Sequence, residues 1–372
     1  MKLGILCTMI NGFGRRGYYN SQEIGLGRAL ARKGHEVMIY KGIDPSEKEE
    51  KVQVEKNLTI WYLPMKHLGA HGFMDCKYLD PQLKALFCFG DQQIFLPHVY
   101  RWGRRRRIPF VAYVGTAHSL DSNFKSKVMN ALFAAGTLRI YKKNPVLAKT
   151  SAAKEELRQL GVPHAVIAPV GLDNAVLKKN IPADEKMRLR KEHGFEADDV
   201  ILCNVSRLSW EKRPLELIDL FLQVKGKKKF KLIIVGNGPL EEELNEKIRK
   251  NGLEKEVKIY PNVPYEKMWE IYEMSDYYLN MNKGEIFGMA IMEAVYYKTS
   301  VAAIRALGPS VTLKDMKGHK LCENDDEMAE WITGPYPSEK DLQESSEKMA
   351  ATFTWDRCAD AFLQASSEKS SR

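Results

Sequence analysis

Short apolar runs alternate with helix-length stretches along this chain, and the alternation runs through twice. In the first half, residues 3–10, 36–40, 58–64, 93–96, 110–114 and 146–150 read as strands, with helices near 21–32, 82–89, 123–135 and 152–161. Strands at 200–205, 231–235, 257–260, 277–281 and 300–304 then alternate with helices at 214–224, 240–251, 265–274 and 287–297. Connections of this length carry a helix back across a sheet, so the pattern predicts parallel strands covered on both faces. Two such blocks in series predict an α/β protein of two Rossmann-like domains facing a cleft, with ligands at the carboxyl ends of the strands. Residues 1–171 form the first domain in this reading and 198–352 the second, joined by a polar linker over 172–197.

Size agrees, since 372 residues exceed what a single core usually holds. No stretch approaches the roughly 18 apolar residues of a membrane span. The apolar run 3–10 is too short for a signal peptide and reads as a buried first strand. Six cysteines (Cys7, Cys76, Cys88, Cys203, Cys322, Cys358) lack paired spacing, which points to a reducing compartment rather than a disulfide frame or zinc site. Charge is uneven: residues 1–170 carry 26 Lys and Arg against 13 Asp and Glu, and the remainder 31 against 35. The basic half includes Arg101, the run Arg104 to Arg107, Lys125, Lys127, Lys142 and Lys143. Such a face favours an anionic membrane surface or a phosphate-rich acceptor, the alternative being a merely solvated basic loop. Nucleic acid is disfavoured, because no recognised RNA- or DNA-binding signature accompanies the charge.

The stretch with the most chemistry is Glu285-Ile286-Phe287-Gly288-Met289-Ala290-Ile291-Met292-Glu293, which follows an apolar run and the turn Asn282-Lys283-Gly284. It predicts one carboxylate ahead of a helix and another two turns inside it. A helix N-terminus offers backbone N–H groups and positive dipole to an anion, and carboxylates accept hydrogen bonds from sugar or ribose hydroxyls, so the junction suits a polyhydroxylated, phosphate-bearing ligand. The spacing alone equally fits two surface acids.

Other motifs fall just after predicted strands. Gly12-Phe13-Gly14-Arg15-Arg16-Gly17 spells GxGxxG, but the second strand ends Val37-Met38-Ile39-Tyr40-Lys41 without the acid that a dinucleotide ribose needs. A loop that lets backbone approach a phosphate or acceptor, or a plain tight turn, remains. Ser206-Arg207-Leu208-Ser209-Trp210-Glu211-Lys212 offers a rigid guanidinium fork and a mobile ammonium, together able to neutralise a departing diphosphate. Gly236-Asn237-Gly238-Pro239 permits close backbone approach. His118 stands beyond a strand of the first domain, where a histidine is either structural or faces a ligand.

In this order the motifs resemble the retaining nucleotide-sugar glycosyltransferases of family 4 (glycosyl transferases group 1), which have the GT-B fold. The resemblance spans nearly the whole chain, from the glycine loop and Gly34-His35-Glu36-Val37 to Phe353-Thr354-Trp355-Asp356, which is similar to the start of the family's closing helix. It implies an acceptor-binding first domain, a nucleotide-sugar-binding second domain and a C-terminal helix, residues 353–368, that crosses back to the first. Arg207 and Lys212 would hold the donor diphosphate, Glu285 the sugar hydroxyls and Glu293 the ribose. Backbone N–H groups of Phe287, Gly288, Met289 and Ala290 would face sugar and phosphate, with Gly236, Asn237 and Gly238 also on the donor side. His118 would contact the donor sugar near the reacting carbon, and Gly12 and Gly14 would line the diphosphate and the acceptor approach. Ile286 stands at the donor site where the family commonly has glycine, Asn282 where serine is frequent, and Val170 where asparagine usually precedes Gly171.

The resemblance further implies a metal-independent transferase with no cofactor, acting on a UDP-sugar first and a GDP-sugar next. The acceptor would be a carbohydrate or lipid-linked hydroxyl at the cytoplasmic face of a membrane, in cell-surface polysaccharide or glycolipid synthesis. A sugar-nucleotide epimerase and a non-catalytic nucleotide-sugar-binding protein are the rival readings on the same fold.

Overall fold

The first apolar run becomes a strand near the middle of a sheet, buried from Leu3 to Cys7. The computed structural model describes residues 1–10, 21–117, 124–173 and 176–368, so Gly12, Gly14 and His118 lie outside the described residues. In chain order the elements are β1 (Lys2–Cys7), α1 (Gln22–Arg32), β2 (Glu36–Ile43), β3 (Glu50–Glu55), β4 (Leu58–Pro64), β5 (His67–Leu68), β6 (His71–Gly72), β7 (Ala85–Phe89), α2 (Leu96–Arg105) and β8 (Phe110–Val114). There follow α3 (Phe124–Ala135), α4 (Thr137–Tyr141), β9 (Val146–Ala148), α5 (Ser151–Gln159) and β10 (Val166–Ile167). The second series is α6 (Glu185–Glu192), β11 (Val200–Val205), α7 (Pro214–Val224), β12 (Phe230–Val235), α8 (Glu241–Lys250), β13 (Val257–Tyr260), α9 (Met268–Met274) and β14 (Tyr277–Asn280). It ends with α10 (Met289–Tyr296), β15 (Ser300–Ile304), α11 (Leu307–Thr312), β16 (Lys320–Cys322), α12 (Asp325–Thr333), α13 (Glu339–Thr352) and α14 (Trp355–Glu368).

Two compact units result, one holding the described residues up to Gly171 together with those from Phe353 onward, the other those from Leu172 to Thr352. The first unit contains an eight-stranded sheet in the order β10-β9-β8-β7-β1-β2-β4-β3, parallel except for β3 against β4. The second contains six parallel strands ordered β13-β12-β11-β14-β15-β16. Counted within the unit this is the doubly wound order 3-2-1-4-5-6, whose switch point lies between its first and fourth strands, β11 and β14.

Three segments differ from the sequence reading. Residues 82–89 contain not a helix but β7, paired with β1 on one side and β8 on the other. A five-residue run covered on both faces shows neither helical nor alternating periodicity, and its length decides for a strand. Residues 93–96, read as a strand, instead lead into α2. The stretch 172–197 packs into the second unit: Arg190 of α6 is buried, donating to Asp276 at 2.6 Å and to the carbonyls of Met274 and Asp199 at 3.0 and 3.1 Å. A helix of low apolar content is fixed there by charge rather than by an apolar stripe.

Within the first unit α14 lies against α1. Trp355 is 1% exposed, Phe362 meets Phe87 edge-on at 4.6 Å, and Arg32 and Lys33 pair with Asp356 and Asp360 at 3.1 and 2.7 Å. A Cβ added at Gly25 would fall 2.2 Å from Trp355 Nε1, and one at Gly171 2.1 Å from the Trp355 backbone nitrogen. A ring can shift where a backbone cannot. Gly25→Ala is therefore expected to cost about 1–3 kcal/mol in urea unfolding, the usual range for overpacking, and Gly171→Ala more. The reverse order would refute this packing of α14.

Candidate active site

The carboxyl ends of β11 and β14, flanking the switch point, carry the loops in which Arg207, Lys212 and Glu285 lie. The β11 loop is anchored by backbone. Ser206 N–H donates to Val235 at 3.0 Å, Leu208 N–H to Asn237 at 2.9 Å, and Leu240 N–H to Leu208 at 3.0 Å. A Cβ on Gly236 would stand 1.9 Å from the Ser206 carbonyl oxygen and one on Gly238 2.4 Å from that of Leu208, so neither position admits a side chain. Asn237 turns the other way, donating from Nδ2 to the Pro261 carbonyl at 3.0 Å and to Asn262 Oδ1 at 2.9 Å.

Lys212 Nζ meets Glu285 Oε2 at 2.8 Å across the switch point, both side chains largely shielded from solvent. Asn282 Nδ2 donates to the same oxygen at 3.0 Å, while Asn282 is itself set by Asn280 Oδ1, which accepts its N–H at 3.0 Å. Burial pushes the Glu285 carboxyl up. The Lys212 ammonium and the hydrogen bonds from Lys212, Asn282 and Asn280 outweigh it and hold the group below its ordinary value. The Glu285 carbonyl accepts from Gly308 N–H at 2.8 Å, tying the β14 loop to α11.

Gly288, at φ 87°, turns the chain into α10, which begins at Met289. Ile286 is half-buried and Phe287 buried, so Phe287 and Gly288 precede the helix and Met289 and Ala290 open it. Glu293 accordingly lies just over one turn inside, not two. It is 4% exposed, and its carboxylate accepts from Tyr265 Oη at 3.0 Å and Tyr272 Oη at 2.9 Å. Burial, and then the Glu293 charge, raise both phenols, so they remain donors.

The structure thus joins Lys212 to Glu285 directly and fixes the Arg207 loop on Gly236 and Gly238. Arg207 itself points to Glu211 at 2.7 Å with its side chain 47% exposed, and Glu293 faces two tyrosines. Sequence reading missed Asn280, Tyr265, Tyr272 and Arg213. Arg213 adopts φ 55°, donates to both oxygens of Asp325 at 3.0 and 2.7 Å and reaches the Met281 carbonyl at 3.3 Å, clamping both loops to α12. Pro214 at the first position of α7 was the available signal that a helix begins beside Lys212. Among the described residues no group of three or more His, Cys, Asp or Glu could hold a metal ion.

Residues 185–348 match the family model described as glycosyl transferases group 1. Across 91% of this chain and 89% of its own length, the GDP-mannose-dependent alpha-(1-6)-phosphatidylinositol dimannoside mannosyltransferase of Mycobacterium tuberculosis is 24% identical. The sucrose-phosphate synthase of Thermosynechococcus elongatus superposes with a TM-score of 0.76 at 16% identity, over 100% of this chain and 99% of that one. Anabaena HepE, solved with UDP and glucose, gives 0.70 at 16% identity over 99% and 100%. Both structures share the two-domain GT-B fold that the family resemblance implies.

A carboxyl held below its ordinary value of 4.5 stays ionised above it, so the Lys212–Glu285 pair is complete at neutral pH and is lost as pH falls through the lowered value. Lys212→Ala leaves the burial without the counter-charge. A carboxyl-detected NMR titration is expected to place Glu285 below 4.5 in the parent protein and higher in the variant. An unmoved midpoint would show that Lys212 does not set this carboxylate.

Proposed function

We propose that this chain of the GT-B fold is a group 1 glycosyltransferase, and that it transfers a sugar from a nucleotide-diphosphate sugar to a hydroxyl acceptor with retention of anomeric configuration. The observation that carries the site assignment is the Lys212–Glu285 pair at the switch point beside the start of α10. Doubly wound sheets bind ligands there, and the pair sets a cation for diphosphate next to an ionised acceptor for sugar hydroxyls. Arg207 can exchange its solvent-exposed partner Glu211 for the diphosphate at little cost. The start of α10 directs its backbone dipole at the same charge. Glu293, which accepts from Tyr265 and Tyr272, is assigned the ribose, a carboxylate having about four acceptor sites.

In the reaction the acceptor oxygen attacks the anomeric carbon on the face the diphosphate leaves. The carbon–oxygen bond to the leaving phosphate breaks, and that phosphate oxygen takes the acceptor proton. Two cationic side chains and a helix N-terminus stabilise the leaving charge without a metal or cofactor. The family resemblance would assign His118 to the donor sugar, and Gly12 and Gly14 to the diphosphate and the acceptor approach. Ile286 sits beside Glu285, where it bears on sugar choice. HepE, solved with UDP, supports a UDP-sugar as first candidate, and the mycobacterial GDP-mannose enzyme supports a GDP-sugar as second. The lipid named in the latter supports a lipid-linked acceptor, with the protein peripheral on the cytoplasmic face of a membrane.

Glu285→Gln, Arg207→Ala and Lys212→Ala are each expected to lower turnover about 100-fold or more, with circular dichroism unchanged. Donor hydrolysis measured across UDP-, GDP- and ADP-sugars should rank UDP first. Near-parental rates in all three variants would overturn the assignment of the site.

A further inference from the structure

One layer of the first unit carries a large excess of positive charge. Residues 92 to 159 contain thirteen Lys and Arg against three acids, Asp121, Glu155 and Glu156. Side chains of α2, α3, α4 and α5 (Leu96, Phe133, Leu138, Leu157) line one core against one face of the sheet, so these helices form a single layer. Arg104 to Arg107 at the end of α2, and Lys142 and Lys143 beyond α4, are exposed.

A helix in a globular protein normally turns its apolar stripe inward. α3 buries Phe133 but leaves Val128 43% and Leu132 47% exposed, and Ala131 and Ala135 are exposed with them. Positions 128, 131, 132 and 135 recur at helical spacing, so α3 has a second apolar stripe facing solvent. It adjoins α2, because a Cβ at Gly136 would lie 3.2 Å from Pro97 and Gln92 hydrogen-bonds Asn130. The β5–β6 hairpin brings further apolar surface to α2: Leu68 is 54% exposed, and Phe73, 44% exposed, stacks on His98 at 4.2 Å.

We propose that this layer docks on an anionic lipid surface, with α3 lying in the interface, Val128 and Leu132 among the acyl chains and the arginines of α2 on lipid phosphates. The proposal rests on the reading of a lipid-linked acceptor and assigns the surface that delivers the enzyme to it. Charge selects this occupant. A second copy of so one-sided a layer would be repelled, and a nucleic-acid backbone would leave the apolar stripe uncovered. Attraction to headgroups is screened by salt, whereas burial of Val128 and Leu132 is not.

Flotation of the full chain with vesicles tests it. Phosphatidylcholine vesicles containing phosphatidylglycerol should capture the protein at low salt and retain part of it at high salt, and phosphatidylcholine alone should capture little. The V128S/L132S variant should bind about tenfold more weakly and keep no salt-resistant fraction, and R104Q/R105Q should lose binding chiefly at low salt. Equal capture by both vesicle types, no capture, or parental binding by V128S/L132S would overturn the proposal. So would a parental dimer that becomes monomeric in V128S/L132S, which would make the stripe an interface between copies. Nucleotide-sugar hydrolysis without vesicles should be unchanged in V128S/L132S. Hydrolysis without vesicle binding removes the docking surface alone, and binding without hydrolysis removes the proposed reaction alone.

Discussion

The close backbone approach of the β11 loop to Gly236 and Gly238 is the constraint on which the rest of the candidate site depends. Three backbone hydrogen bonds join residues 206–208 to the segment 235–240, and no side chain fits between them. That contact fixes where the chain leaves β11, hence where Lys212 stands relative to β14. An ammonium on a four-carbon stem is mobile by nature, so its meeting with Glu285 needs both loops held by something stiffer than the pair itself. Backbone contacts provide this on one side. Asn280 and Asn282 provide it on the other, each accepting on its Oδ1 the backbone N–H of the residue two positions on.

Arg213 shows how the same loop tolerates a costly conformation. A non-glycine residue at φ 55° is strained, and here the side chain compensates by binding Asp325 at two points. The strained residue is the neighbour of Lys212, so the turn that starts α7 also orients the catalytic candidate. In the second unit, then, one strained turn, one glycine contact and two asparagines set one ion pair.

Most of this architecture was legible as pattern, because helices between parallel strands impose a spacing that survives in sequence. The Lys212–Glu285 meeting was legible only through family resemblance, since 72 residues of chain intervene and nothing local predicts a contact between them. β7 was misread for a physical reason: a central strand buried on both faces has no polar side to alternate with. Tyr265 and Tyr272 were invisible for another. Their hydroxyls matter through the carboxylate they cap, and tyrosines at seven-residue spacing on a helical stretch look like any other core contribution. The linker reading of 172–197 failed because a polar helix can be buried by ion pairs, which hydropathy does not register.

The first unit treats its own strand ends by the same rule with opposite charge. Asp91, just past β7, accepts the backbone N–H groups of Gly115 and Thr116 after β8 while pairing with Lys149 at 2.7 Å after β9. Glu156 of α5 accepts the N–H of Ala117 at 3.0 Å. Three successive amides are thus drawn onto two carboxylates immediately before His118. In the second unit the Lys212 ammonium and Asn282 hold a carboxylate beyond the end of β14; here carboxylates hold the amides at the end of β8. Both arrangements leave little slack where a parallel sheet runs out of backbone partners. Precision at such ends comes from buried charge met locally, so the exposed basic layer on α2 to α4 is better suited to binding a surface.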